Sequence, residues 1–307
     1  MATHAETLDH EHYHPPGLQH QFDDMKQQEE SVSIGMWLFL AQEIMFFGGL
    51  FTVYLVFRSR YPMAFAAGSN HLDAFLGGAN TLVLIVSSLT MALTVYYARK
   101  GKRNIQVVLI LLTMMFGATF LVIKGIEYTD KYNHGVVPVT GLNRKTPLIE
   151  NPEHISAVFP GDEKLPAAGN ETETEQNYVN PRGEFQWHEY ELIEHTIQKQ
   201  KADPSGHFLT ESEKIGYESN GVLDKDKFRD KVRIFFWVYF AMTGLHALHM
   251  IIGLFLMTWL LIKAWKNTFG PDYYMPVEMS GLYWHFVDIV WIFLFPLLYL
   301  LGRHFIH

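Results

Sequence analysis

Apolar residues gather into five runs whose centres hold no Lys or Arg: 35–57, 74–97, 105–123, 234–262 and 282–302. Each is close to or above the roughly 20 residues that an α-helix needs to cross a hydrocarbon core about 30 Å thick. The pattern predicts an all-α fold, an integral membrane bundle of five transmembrane helices with a long polar extramembrane insert. Helices one to three are expected within 35–128 and helices four and five within 233–307. Between them, 129–232 is too polar to span. Ahead of them, 1–34 is a polar, His-rich tail with a single Lys26, so it lacks the basic region of a cleaved secretory signal and is expected to stay on the mature protein.

The connections set an orientation. Arg99, Lys100, Lys102 and Arg103 crowd the very short turn between the second and third runs, the densest basic cluster beside any span. By the positive-inside rule that turn faces the cytoplasm, which makes the N-terminus cytoplasmic and the insert extracytoplasmic. Arg58 and Arg60 fall on the opposite side and argue mildly the other way. The link between the first two runs, rich in Gly, Pro and Asn, is expected to be a loop.

Polar residues inside the runs are the candidate chemistry. Glu43 interrupts the first run about nine residues in, where ionisation is costly, so the group is expected to be protonated, paired or functional. Lys124 and Glu127 fall three apart at the end of the third run and are expected to pair near the outer interface. His246 and His249 share a face of the fourth run, and His285 and Asp288 repeat that spacing in the fifth. Counted from the run starts, Glu43, His285 and Asp288 lie at similar depths in the inner half of the membrane, where a hydrated polar cluster is plausible.

Charge and composition change this picture in three places. The net charge of -8 is not uniform, because 129–232 holds 19 Asp and Glu against 12 Lys and Arg. An acidic external surface of that kind speeds encounter with a basic electron carrier such as cytochrome c. No basic face suggests nucleic acid. There is no cysteine, so any metal would need His and carboxylates; the tail clusters His4, His10, His12, His14 and His20 around Pro15-Pro16, which reads as an exposed tail before a dedicated metal site.

Four stretches carry a resemblance: WLFLAQEIMFFGGLF, NTLVLIVSSLT, TGLHALHMIIG and YWHFVDIVWIFLFPLLYL. Together they resemble subunit III of the haem-copper respiratory oxidases, cytochrome c oxidase subunit III. The resemblance implies an accessory subunit with no catalytic residue and no metal of its own, the haem and copper belonging to a partner catalytic subunit. It implies association with oxidase subunits I and II in a bacterial cytoplasmic membrane, a structural phospholipid between helices, and support for proton uptake and for the stability of the catalytic subunit. Glu43 matches the family's buried carboxylate, grouped with Asp288 and His285 as proton-linked or lipid-cleft positions. His246, His249 and Glu127 match other polar signature positions. Five helices resemble the bacterial forms that lack two leading helices, whereas the long insert departs from the short connection of the family.

Three alternatives stay open on the sequence. The oxidase could use quinol, or the chain could be a nitric-oxide-reductase-associated homologue. It could be a stand-alone membrane metalloprotein with His246, His249, His285 and Asp288 as ligands. A transporter with Glu43 and Asp288 in a proton relay lacks the interrupted helices and repeats typical of such sites.

Overall fold

The computed structural model describes residues 18–133, 137, 198–199, 202–203, 210–219, 222–271 and 273–301. Five of its helices are long and apolar enough to cross a membrane: α1 (Met25–Arg60), α3 (Ala74–Arg99), α4 (Arg103–Asn133), α6 (Lys225–Trp265) and α7 (Met275–Phe295), the last extended by a π-helical turn, Pro296–Leu300. The chain is a multi-pass membrane protein. Two short helices, α2 (Pro62–Asn70) and α5 (Glu211–Tyr217), and a two-residue antiparallel ladder, β1 (Glu218–Ser219) with β2 (Val222–Leu223), complete the described elements. The His cluster from His4 to His14 and the acidic stretch 185–197 lie outside the described residues.

Helix ends fall where the local chemistry allows, not where apolarity stops. Asp24 caps α1 by accepting from the Gln27 N–H at 2.6 Å, so the helix starts ten residues before the apolar run. It stops at Arg60 because Tyr61 precedes Pro62 and leaves helical geometry, with φ −135° and ψ 61°. Asp73 caps α3 through the Phe75 and Leu76 N–H groups, at 2.8 and 3.1 Å. Gly101, at φ 65°, lets the basic turn reverse direction and makes α3 and α4 antiparallel neighbours. The 41 residues of α6 would measure about 61 Å, twice the hydrocarbon thickness. Its first turns therefore stand outside the membrane, in what the hydropathy pattern assigns to the polar insert.

The link after α1 is not a loop. Pro62 sets the first turn of α2, and Ala64 to Ser69 are all buried in a helix laid against α6. The first turn of α2 is completed from far along the chain. The Met63 N–H donates to Glu213 Oε1 at 3.0 Å and the Ala64 N–H to the Tyr217 hydroxyl at 3.2 Å. That hydroxyl donates in turn to Glu213 Oε1, and Thr210 supplies its N–H and hydroxyl to Oε2. Burial, reinforced by the Glu213 carboxylate, holds the Tyr217 phenol well above its ordinary pKa, so it remains a donor.

In the membrane, α7 is the most enclosed helix and α1 the least: 56% against 17% of their apolar windows are buried. The α7 side chain Trp284 fills a notch made by Gly117 of α4 and Gly253 of α6, where an added Cβ would come within 2.7 and 2.8 Å of the indole. Small residues at that crossing let three helices meet. At the far end of α7, Arg58 and Tyr54 of α1 reach the terminal carbonyls: Arg58 Nη2 donates to the Leu301 oxygen at 2.7 Å, and Tyr54 to the Leu297 oxygen. Ser69 of α2 donates to the Leu298 oxygen at 2.7 Å. Three helix-end acceptors are thereby met by side chains.

One turn inward sits an ion pair. Lys124 Nζ lies 2.8 Å from Glu127 Oε2, as the spacing of three predicts, and the two side chains, 3% and 6% exposed, are enclosed by the bundle. Tyr239 and Tyr299 each donate to Glu127 Oε1 at 2.6 Å, and the Tyr299 oxygen is 2.8 Å from Nζ. The rings of Tyr128, Tyr239, Trp291 and Tyr299 surround the ammonium at 5.0 to 5.5 Å. The pair therefore ties α4, α6 and the end of α7 together.

Two expectations follow for thermal melts of the detergent-solubilised protein. Gly253→Val should destabilise by about 1–3 kcal/mol through overpacking against Trp284, while Gly48→Ala, where nothing lies within 4 Å, should leave the melt unchanged. Lys124→Met should cost about 3–5 kcal/mol by leaving Glu127 buried without its cation, and the double variant Lys124→Met/Glu127→Leu should cost less than that single change.

Candidate functional site

Glu43 sits midway along α1 and meets His249 of α6: Oε2 and Nε2 are 3.2 Å apart, with both side chains 13% exposed. The surroundings fix the histidine. Its Nδ1 lies 2.8 Å from the Leu245 carbonyl oxygen, which can only accept, so Nδ1 carries a hydrogen. A neutral His249 therefore turns a bare Nε2 toward Glu43. The contact is bonded only if one further proton lies between the two groups, either on the carboxyl or on the imidazole. The pair is thus a place where one proton is held. Phe47 packs on the imidazole at 5.3 Å, and Tyr283 of α7 donates to the His249 carbonyl at 2.9 Å.

The remaining candidates are close in depth but separate in contact. His246, fully buried between Phe120 and Trp291, directs Nε2 at the Val287 carbonyl of α7 at 3.0 Å. Nε2 is the donor there, and Nδ1 has no partner. His285 Nδ1 lies 2.6 Å from the Ser88 hydroxyl of α3. Asp288 is 2% exposed beside Ser88, and neither of its oxygens has a hydrogen-bond partner of good geometry. Among the described residues, no hydrogen bond joins the Glu43 and Asp288 groups.

Two sequence expectations change. The helices begin at Met25 and Met275, ten and seven residues before the apolar runs, so Glu43, His285 and Asp288 sit nearer the middle of their helices than a count from the run starts gives. The polar first turns, including Glu278 ion-paired with Arg99 at 2.7 Å, concealed those starts. The four ligands of the metalloprotein alternative also fail to converge. His246, His249 and His285 are turned to a backbone carbonyl, a carboxylate and a hydroxyl, and no three His or carboxylate side chains form a metal-sized group among the described residues. The pairing of Glu43 with His249, 206 residues apart, and the role of Ser88 carry no local signal in the sequence.

Known proteins match parts of this sequence. Residues 226–303, which contain α6 from its second residue through α7, match the family model for cytochrome c oxidase subunit III. The chain is 43% identical over 68 residues to the quinol oxidase subunit 3 of Bacillus subtilis, covering 22% of this chain and 33% of that one. It is 42% identical over 64 residues to the cytochrome c oxidase subunit 3 of Gallus gallus, covering 21% and 24%. These alignments span a third or less of the relatives' lengths. A longer one, to the cytochrome c oxidase subunit 3 of Corynebacterium diphtheriae, runs over 270 residues at 24% identity and covers 87% of both chains. The stretch 226–303, which carries His246, His249, His285 and Asp288, thus matches cytochrome c oxidase subunit III, and over most of its length the chain is similar to members of that family.

Proposed function

We propose that this chain is the accessory third subunit of a proton-pumping haem-copper terminal oxidase in a bacterial cytoplasmic membrane. It sits beside catalytic subunits I and II, which hold the haem and copper, with its N-terminus and the Arg99–Arg103 turn on the cytoplasmic side. The Glu43–His249 pair is the observation that carries a role in proton supply. A carboxyl and an imidazole that need one proton between them, midway along α1 and 13% exposed, can take up and return a proton without moving a helix. Asp288 and His285 form a second polar position of the same depth. A phospholipid seated beside α1, the least enclosed helix, would cover the Glu43 side of the bundle.

The favoured electron donor is cytochrome c. The alignment that covers most of both chains is to a cytochrome c oxidase subunit, and the acidic segment 129–232 suits a basic carrier. The match to a Bacillus quinol oxidase subunit keeps quinol as the second reading. The chain tagged in native membranes and extracted in mild detergent should bring down haem and copper in the reduced-minus-oxidised spectrum and metal analysis. The oxidase assignment is wrong if the intact membrane complex holds neither.

If Glu43 supplies protons, Glu43→Gln should leave assembly and the initial oxygen-consumption rate near normal while activity decays severalfold faster during turnover. An unchanged turnover lifetime and proton-pumping ratio would reduce Glu43 to a packing role.

A further inference from the structure

The contact between Glu43 and His249 has little slack. At 3.2 Å it lies at the long end of the roughly 2.7–3.2 Å over which a nitrogen and an oxygen share a hydrogen, so a small relative shift of the two helices parts them. The groups belong to different helices, and α1 is the least enclosed of the five spans. The imidazole itself is already oriented, because Nδ1 donates to the Leu245 carbonyl. What remains to be fixed is the place of that turn of α6 relative to Glu43.

One side chain of α7 touches both helices at this point. The Tyr283 hydroxyl donates to the His249 carbonyl oxygen at 2.9 Å, the same oxygen that the helical ladder bonds to the Gly253 N–H. The Tyr283 ring meets Phe39 of α1 at 5.9 Å between centroids, and Phe39 lies one helical turn before Glu43 on the same face. The ring comes this close to α6 because residue 253 is glycine: a Cβ there would stand 3.3 Å from Tyr283 Cε1. Its place on α7 is set by the next residue, Trp284, which is seated between Gly117 and Gly253. Glu43 is also near enough to act on the phenol electrostatically. One turn after Glu43, Phe47 packs on the imidazole at 5.3 Å and on Phe286 of α7 at 6.2 Å. Tyr283 and Phe286 therefore bracket the pair from one helix, and of these two only Tyr283 does so with a directed bond.

We infer that Tyr283 is the positioning residue of the Glu43–His249 pair: its hydroxyl on the His249 carbonyl and its ring on Phe39 hold α6 and α1 at the separation where the carboxyl and the imidazole share one proton. This rests on the proposed role of the pair in proton supply. Tyr283 neither gains nor loses a proton in this role and acts through His249. A functional constellation has to be held to within about 0.5 Å by such supporting groups, and a contact already at its long limit depends on them most.

The test uses the native membrane complex with Tyr283→Phe, which keeps the ring beside Phe39 and removes only the hydroxyl. Infrared difference spectra first assign Glu43 as the carboxyl or carboxylate band that Glu43→Gln removes. In Tyr283→Phe that band should shift, and activity should decay severalfold faster during turnover than in the parent protein. The double variant Tyr283→Phe/Glu43→Gln should decay no faster than Glu43→Gln alone, since a residue that acts through the pair adds nothing once the pair is gone. A band and a decay rate unchanged by Tyr283→Phe, or decay effects that add in the double variant, would overturn the positioning role and leave the proton role of Glu43 standing. An unchanged turnover lifetime in Glu43→Gln would instead overturn the proton-supply reading, and the Glu43 band then decides alone whether Tyr283 sets the pair. Thermal melts check that each variant is folded. Should Tyr283→Phe not assemble, Phe39→Leu, which loosens the same ring from α1, carries the band measurement, and an unmoved band is the overturning result.

Discussion

Within the hydrocarbon core no water completes a hydrogen bond, so each polar group on a spanning helix is met by its own backbone, by another helix, or from outside the chain. That constraint accounts for most of the long-range contacts in this protein. Threonines on α3, α4 and α6 return their hydroxyls to carbonyls one turn back, as Thr94 does to Thr90 and Thr243 to Tyr239. The indoles of Trp284 and Trp291 donate to Ser87 and Thr81 on α3. The larger charges need more partners. Lys124 and Glu127 survive burial because two phenols and a ring of aromatic faces attend them, and this binds three helices at one point.

The same constraint separates structural polarity from functional polarity. The Lys124 group has its hydrogen bonds made inside the bundle, and it reads as a tie. Glu43 and His249 meet across two helices, and their contact is bonded only with one proton between them. Ser88 and His285 meet between α3 and α7, while the Asp288 oxygens beside them have no hydrogen-bond partner among the described residues. Three levels of satisfaction thus sort residues that look alike as charged or polar letters in an apolar run.

What was legible in the sequence is what depends on neighbours along the chain. The five spans, the tight basic turn and the Lys124–Glu127 spacing are local, and the structure reproduces them. Helix starts were misplaced because hydropathy does not register a cap: Asp24 extends α1 into polar sequence, and the charged stretch from Lys225 is helical although it lies outside the membrane. The burial of α2 was hidden because its small residues look like a turn until α6 is laid against them. The partners of Glu43 and His285, and the two phenols on Glu127, were hidden for the same reason, since each comes from a helix more than a hundred residues away.

The first helix has little to hold it until the last has arrived. Its firm contacts go to His249, Leu297 and Leu301, and α2, which follows it, is completed by Glu213 and Tyr217. During synthesis α1 therefore enters the bilayer with Glu43 and Arg58 unmatched, and waits while about two hundred residues are made. The order of manufacture is the reverse of the order of closure. A shortened chain would lose more than its final helix: it would leave the earliest one as a loose, half-polar segment, the kind of exposed intermediate that membrane quality control removes.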